Sequence, residues 1–329
     1  MVDMAIDYGD IQLARSRITR YWRHPTPVVR WHAFEERADV PDLRVYVKCE
    51  NLGPTGSFKI RGALNAVLSL SEHEARYGVA THSSGNHGAA LAYAARIRKI
   101  PVTIVVPEGA SRRKIDLIRH WGGVIVECEP TQAGREAALA RVVREQGCIA
   151  IPPYDWAPVM AGQGTVADEF LDEVPALDYL LIPVGGGGLI SGSAIVVRER
   201  RPSIRLIGVE PRGANDTLRS LEQGMRIPHP APSTIADGLK AFVGELTFPI
   251  IQQMVDQVVD VTEEEIARMM LLCLEELRMA IEPSSATVFA ALAKEKLNSG
   301  SRIGLILSGG NVDHLVWEWL FTPVNGHDR

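Results

Sequence analysis

The chain has 329 residues, 46% hydrophobic and 23% charged, with a formal net charge of −5 and a pI near 6.0. That length predicts two domains rather than one core, and a mildly acidic balance without blocks of like charge disfavours nucleic acid or an anionic membrane as partner. The opening residues MVDMAIDYGD lack a basic leader, and no apolar run approaches the length of a membrane span, so a cytoplasmic enzyme acting on a small molecule is expected.

The first chemical signal along the chain is GPTGSFKIRGALNAV at 53–67. Ser57 is a suitable N-cap and Phe58 through Leu70 has helical composition, which puts Lys59 in a first turn. The helix dipole favours an acid there by ~0.3–1 kcal/mol. The chain uses only 7 lysines against 28 arginines, so a lysine between Phe58 and Ile60 stands out. It reads either as a snorkelling surface cation or as an amine whose pKa the helix end and apolar neighbours lower.

Next comes SSGNHG at 83–88, opening a small-residue helix over Asn86–Arg98. Ser83, Ser84, Asn86 and the N–H groups of a helix start suit a carboxylate or phenolic oxygen, while His87 alone reads more readily as structural. The strands VTIVVP (102–107) and VIVE (124–127) alternate with helices over Arg112–Trp121 and Thr131–Gln146. Residues 76–154 can thus form their own βαβα unit, with PPYD at 152–155 crossing back.

After a helix over Val159–Leu171, the strand YLLIPV (179–184) runs into GGGGLISGSA (185–194) and a helix over Ile190–Arg200. Four glycines let backbone N–H groups converge at a helix start, an anion cradle suited to phosphate. A dinucleotide site stays open, with Glu210 as its acid, although no clean fingerprint or Walker motif is present. Beyond the strand RLIGVE (205–210), Glu210 and Asp216 could begin an oxygen-ligand site for magnesium, manganese or calcium, or be solvated acids. Thr262 and Glu265 form a capping box, and the strand IGLILS (303–308) ends at Ser308 before two glycines. Cys49, Cys128, Cys148 and Cys273 lack metal or disulfide spacing and read as buried thiols. These alternating elements predict an α/β chain with mainly parallel sheets. An anion cradle combined with a helix-end lysine points to pyridoxal 5′-phosphate, whose aldehyde needs an amine and whose phosphate needs an anion site.

The motifs SFKIRGA, SSGNHG, GGGGL and SGGN, in this order from about Thr26 to Asp313, resemble the fold-type II pyridoxal-phosphate enzymes, in the branch of threonine/serine dehydratases and serine racemase. The resemblance implies a tryptophan synthase β-like fold of two open, mainly parallel sheets. Residues 1–75 and 155–329 would form a large cofactor domain, and 76–154 a small domain closing over substrate. Lys59 would hold the cofactor, beside Phe58; Asn86 would meet its phenolic oxygen; Gly185, Gly186, Gly187, Gly188 and Leu189 would cup its phosphate. Gly238 would lie against the cofactor and Ser308 would meet the ring nitrogen. Ser83, Ser84, Asn86 and His87 would receive the substrate carboxylate, with Arg135 on the substrate side.

The expected reaction is ammonia-lyase (dehydratase) chemistry on L-threonine, L-serine or a related 3-hydroxy amino acid, Lys59 taking the Cα proton. The alternative is a serine or amino-acid racemase with side dehydratase activity, because Ser84 matches the residue that exchanges a proton on the opposite face. Glu210, Asp216 and the carbonyl of Ala214 match a divalent-cation site of the same enzymes, and a homodimer is implied. Phe242 stands where the racemase has a small hydroxyl residue, which keeps a bulkier 3-hydroxy amino acid or 3-hydroxyaspartate open as substrate. From other classes, a noncatalytic small-molecule binding protein and a dinucleotide-dependent oxidoreductase complete the alternatives.

Overall fold

The structure, a computed structural model, describes residues 4–83, 85–228, 231–294 and 298–322. Its strands are β1 (Val28–Arg30), β2 (Arg44–Cys49), β3 (Val79–His82), β4 (Val102–Pro107), β5 (Val124–Cys128), β6 (Ile149–Ala150), β7 (Tyr179–Pro183), β8 (Arg205–Pro211), β9 (Gln257–Val261) and β10 (Arg302–Leu307). They form a six-stranded sheet in the order β1-β2-β10-β7-β8-β9 and a four-stranded sheet in the order β5-β4-β3-β6. Only the β1–β2 pair is antiparallel. The smaller sheet comes entirely from residues 79–150.

The apolar runs read as strands are strands because both faces of each sheet are covered by helices, so β-branched residues are buried on either side. Val102 through Val106 are all buried, as are Leu180 through Pro183. The helices of Asn86–Arg98 and Gln132–Gln146 pack on the smaller sheet. On the larger one, Ala157–Glu173 lies against both Gly188–Arg200 and Lys59–Ser69. These three helices approach closely at glycines: a Cβ on Gly192 would stand 2.4 Å from Met160 O, and one on Gly162 2.6 Å from Arg61 O. The Thr262 capping box forms as expected, and all four cysteines are buried free thiols. No helix among the described residues is long and apolar enough to cross a membrane.

One local expectation fails. The helix begins at Lys59, and its N-cap Phe58 makes no side-chain cap bond. Ser57 is instead held extended in an isolated antiparallel bridge with Gly309, and its buried Oγ has no partner among the described residues. Tertiary pairing with the strand-end loop overrides the capping preference of serine.

Candidate active site

Parallel strands place their following loops together at one edge. β10 lies between β2 and β7, so the loop at Ser308 and the loop at Gly185 are neighbours. Phe58 N donates to Ser308 O at 2.9 Å and Gly310 N to Gly56 O at 2.9 Å, so the start of the Lys59 helix rests on the end of β10. From the smaller sheet, β3 delivers Ser83 and the helix start at Asn86.

Lys59 is half-buried at the start of its helix. Its Nζ donates to Pro153 O at 3.2 Å and stands 5.0 Å from the Phe58 ring centroid. Burial lowers its pKa from 10.5 to about 8, against the opposing pull of the Glu282 carboxylate. The amine is therefore available as a nucleophile or base near neutral pH.

Asn86 Nδ2 donates to both carboxylate oxygens of Glu282, at 3.2 and 2.9 Å, and Asn86 Oδ1 accepts from Asn311 Nδ2 at 2.8 Å. Glu282 is buried, and desolvation raises its pKa to about 7. Sequence reading misses this residue because an acid before Pro283 looks like an ordinary helix entry; here its carboxylate caps nothing and faces Asn86.

Ser308 is buried with its Oγ 2.9 Å from that of Ser285, which also accepts from Gly309 N and donates to Gly309 O, both at 2.8 Å. Ser285, also missed from sequence, can turn its proton toward either oxygen, leaving Ser308 free to donate or accept.

The glycine loop enters the helix Gly188–Arg200 through Gly187 at φ 88°, a left-handed conformation that glycine adopts at little cost. The N-cap Gly187 offers no capping side chain and the first turn carries no acid, so among the described residues the leading N–H groups are available to an anion. A Cβ on Gly186 would lie 2.3 Å from the Tyr154 ring, and one on Gly188 3.0 Å from Tyr154 Cβ. Thus two of the glycines make room for Tyr154, which sequence reading had placed only in a crossing turn. Gly238 N donates to Ser284 Oγ at 3.1 Å, and its carbonyl would stand 3.3 Å from a Cβ on Gly185, which puts Gly238 beside the loop.

Other candidates are placed as follows. Ser83 Oγ accepts from Gly85 N at 3.3 Å. His87 is buried with Nε2 3.0 Å from Ile151 O, and desolvation together with the Lys59 charge lowers its pKa to about 3, so its ring is neutral. Ser84 lies outside the described residues. Arg135 stands near His82 at the end of β3, its charge adding to the burial that lowers the His82 pKa, and its buried Nε has no partner among the described residues. Phe242 is 40% exposed beneath the Arg226 guanidinium, 5.4 Å from the ring centroid.

Glu210 is buried and accepts from the N–H groups of Thr217 and Leu218 at 3.0 and 2.8 Å; Asp216 accepts from Val243 N at 2.8 Å. Burial raises both, and Asp216 further raises Glu210, to about 8 for Glu210 and about 6 for Asp216. Among the described residues no group of three or more His, Cys, Asp or Glu side chains could hold a metal. These two carboxylates would need oxygens such as the Ala214 carbonyl.

The donor set fits pyridoxal phosphate: a half-buried amine of lowered pKa, a helix start behind a glycine loop, an amide at Asn86 and a hydroxyl at Ser308. Over residues 20–309 the chain matches the model of the pyridoxal-phosphate dependent enzyme family. It belongs to that family, and its architecture is that of fold-type II. The chain is 45% identical to a serine racemase of Dictyostelium discoideum, over 92% of this chain and 94% of the relative. It is 40% identical to a β-hydroxyaspartate dehydratase of Paracoccus denitrificans, over 93% and 96%. The solved structure of maize serine racemase superposes with a TM-score of 0.90 at 40% identity, covering 96% of this chain and 97% of that one.

Proposed function

We propose that the chain is an amino-acid racemase of the serine racemase type that also eliminates water from 3-hydroxy amino acids. The observation that carries it is Lys59, a half-buried amine whose Nζ donates to Pro153 O next to Tyr154, the ring that lies on the glycine loop. The similarity to serine racemases weights the reading toward racemisation, so the ammonia-lyase on threonine or serine expected first from sequence becomes the secondary activity.

Bound pyridoxal phosphate supplies an electron sink for the Cα–H bond of an amino acid. Lys59 takes and returns the Cα proton on one face, while the Ser84 hydroxyl does so on the other. Asn86, held by Glu282 and Asn311, offers its amide to the cofactor's phenolic oxygen, and the Gly185–Leu189 loop binds its phosphate. Ser308 offers a neutral hydroxyl to the ring nitrogen. A hydroxyl does not hold that nitrogen protonated as a carboxylate would, which favours prompt proton return or β-elimination over a long-lived carbanion. Elimination removes the β-hydroxyl as water, and hydrolysis then releases a 2-oxo acid and ammonia. Glu210, Asp216 and the Ala214 carbonyl are proposed to hold a divalent cation, which would neutralise two buried carboxylates.

A second reading, a dehydratase for 3-hydroxyaspartate, is favoured by Arg135, whose Nε has no partner among the described residues and whose guanidinium suits a second substrate carboxylate. Incubation with L-serine, L-threonine and L-threo-3-hydroxyaspartate, scored for D-isomer, oxo acid and ammonia, separates the two. Ser84→Ala should abolish D-serine formation while leaving elimination from L-serine largely intact; equal loss of both would overturn the two-face assignment.

A further inference from the structure

The glycine loop is held from behind by a chain of contacts that none of the catalytic roles above requires. The Gly186 carbonyl accepts from Thr247 Oγ1 at 2.8 Å and from Gly244 N at 3.3 Å. Thr247 is fully buried, and a Cβ on Gly187 would stand 2.7 Å from its Oγ1. In a trans peptide the carbonyl and the following N–H point in opposite directions. Fixing Gly186 O against Thr247 therefore directs the Gly187 N–H away from Thr247.

Thr247 is in turn placed by Asp155. One carboxylate oxygen accepts from Leu246 N at 2.8 Å and Thr247 N at 3.3 Å, and the other from Glu245 N at 2.9 Å. The carboxylate thus gathers the N–H groups entering the helix Thr247–Met254, and the negative charge suits that helix end. Gly244 has no room for a side chain there, since its Cβ would come 2.2 Å from Asp155 Oδ1. Three consecutive residues therefore meet the site: Pro153 O receives Lys59 Nζ, the Tyr154 ring lies on Gly186, and Asp155 holds the support of the Gly186 peptide.

We infer that Asp155 and Thr247 are positioning residues that orient the Gly186–Gly187 peptide and so set the affinity of the loop for a phosphate group, an inference that rests on the pyridoxal-phosphate assignment. Neither side chain need touch the cofactor. Removing either lets the peptide rotate and weakens the hold on phosphate, while Lys59 still captures the aldehyde.

The test is a titration of apoprotein with pyridoxal 5′-phosphate and, separately, with pyridoxal, followed by the visible absorbance of the lysine-bound cofactor. Thr247→Val and Asp155→Ala should weaken pyridoxal phosphate binding about tenfold, the scale of one lost hydrogen bond to a charged partner, and pyridoxal binding by less than about twofold. Thr247→Ser should restore the phosphate preference. Equal weakening for both aldehydes, or no change for either, would overturn the proposal. If Asp155→Ala does not fold, Asp155→Asn and Thr247→Val carry the same comparison. Wild-type protein that captures neither aldehyde would sink the cofactor assignment itself, a different failure.

Discussion

Desolvation is the main cause of the shifts of both Lys59 and Glu282, with a smaller attraction between their charges, and the signs of the shifts can be followed through folding. Lys59 has a folded pKa of about 8 against an ordinary 10.5, so between those values the unfolded chain holds the proton and the folded chain does not. Stability rises with pH across that window, and below about pH 8 the folded state bears the full cost of a partly desolvated ammonium. Glu282 runs the other way: its pKa rises from 4.5 to about 7, so the stabilisation of its bound proton is complete below pH 4.5 and is lost as pH rises through 7. Capture of pyridoxal by the apoprotein should accordingly show an inflection near pH 8. Glu282→Gln should move that inflection lower, because the carboxylate is what raises the lysine, and should flatten the decline in melting temperature between about pH 5 and 7. A pH profile unchanged by this substitution would show that Glu282 does not act on Lys59.

At the scale of elements, the helix Lys59–Ser69 is anchored by the residue two positions beyond its lysine. Arg61 is fully buried, donates to both oxygens of Glu50 at 2.7 and 2.8 Å and to both of Glu169 at 2.8 and 2.7 Å, and lies 4.7 Å from the Trp22 ring centroid. Arg61→Met would leave buried Glu50 with only the Thr26 hydroxyl and Glu169 with only Lys48, 3.5 Å away, among the described residues, and should cost about 3–5 kcal/mol. Urea unfolding measures this. Arg61→Lys should recover only part, because an ammonium cannot offer two forks. The alternation of strands and helices was legible in the sequence, since helix Asn86–Arg98 and strand Val102–Pro107 carry their periodicity and apolar runs openly. The start of the Lys59 helix was not: Ser57 has the composition of a cap, and only its bridge to Gly309, 252 positions on, removes it from that role.

For the whole molecule, the carboxylate pair Glu210 and Asp216 offers a linkage test. Both are raised by burial in the folded state, so a cation bound there would stabilise the folded chain and not the unfolded one. Added magnesium or manganese should raise the melting temperature, and a chelator should lower it. Glu210→Gln should remove the response; a melting temperature indifferent to all three cations, calcium included, would remove the metal from the proposal.

The residue types of the site could be read from the chain because their chemistry is local. A lysine at a helix start, four glycines after a strand and a serine before two more each carry their meaning within about ten residues. From these the sequence by itself determined the fold class, the cofactor and the family. What joins the signals acts across the chain: Glu282 reaches Asn86, Ser285 reaches Ser308, Tyr154 lies on Gly186, and Asp155 holds Thr247. An acid before a proline, or a tyrosine in a turn, has no distinctive local pattern, and its role exists only once two sheets bring distant loops to one edge. The charge of Lys59 was decided there as well, because burial is a property of the packed molecule and not of a helix turn.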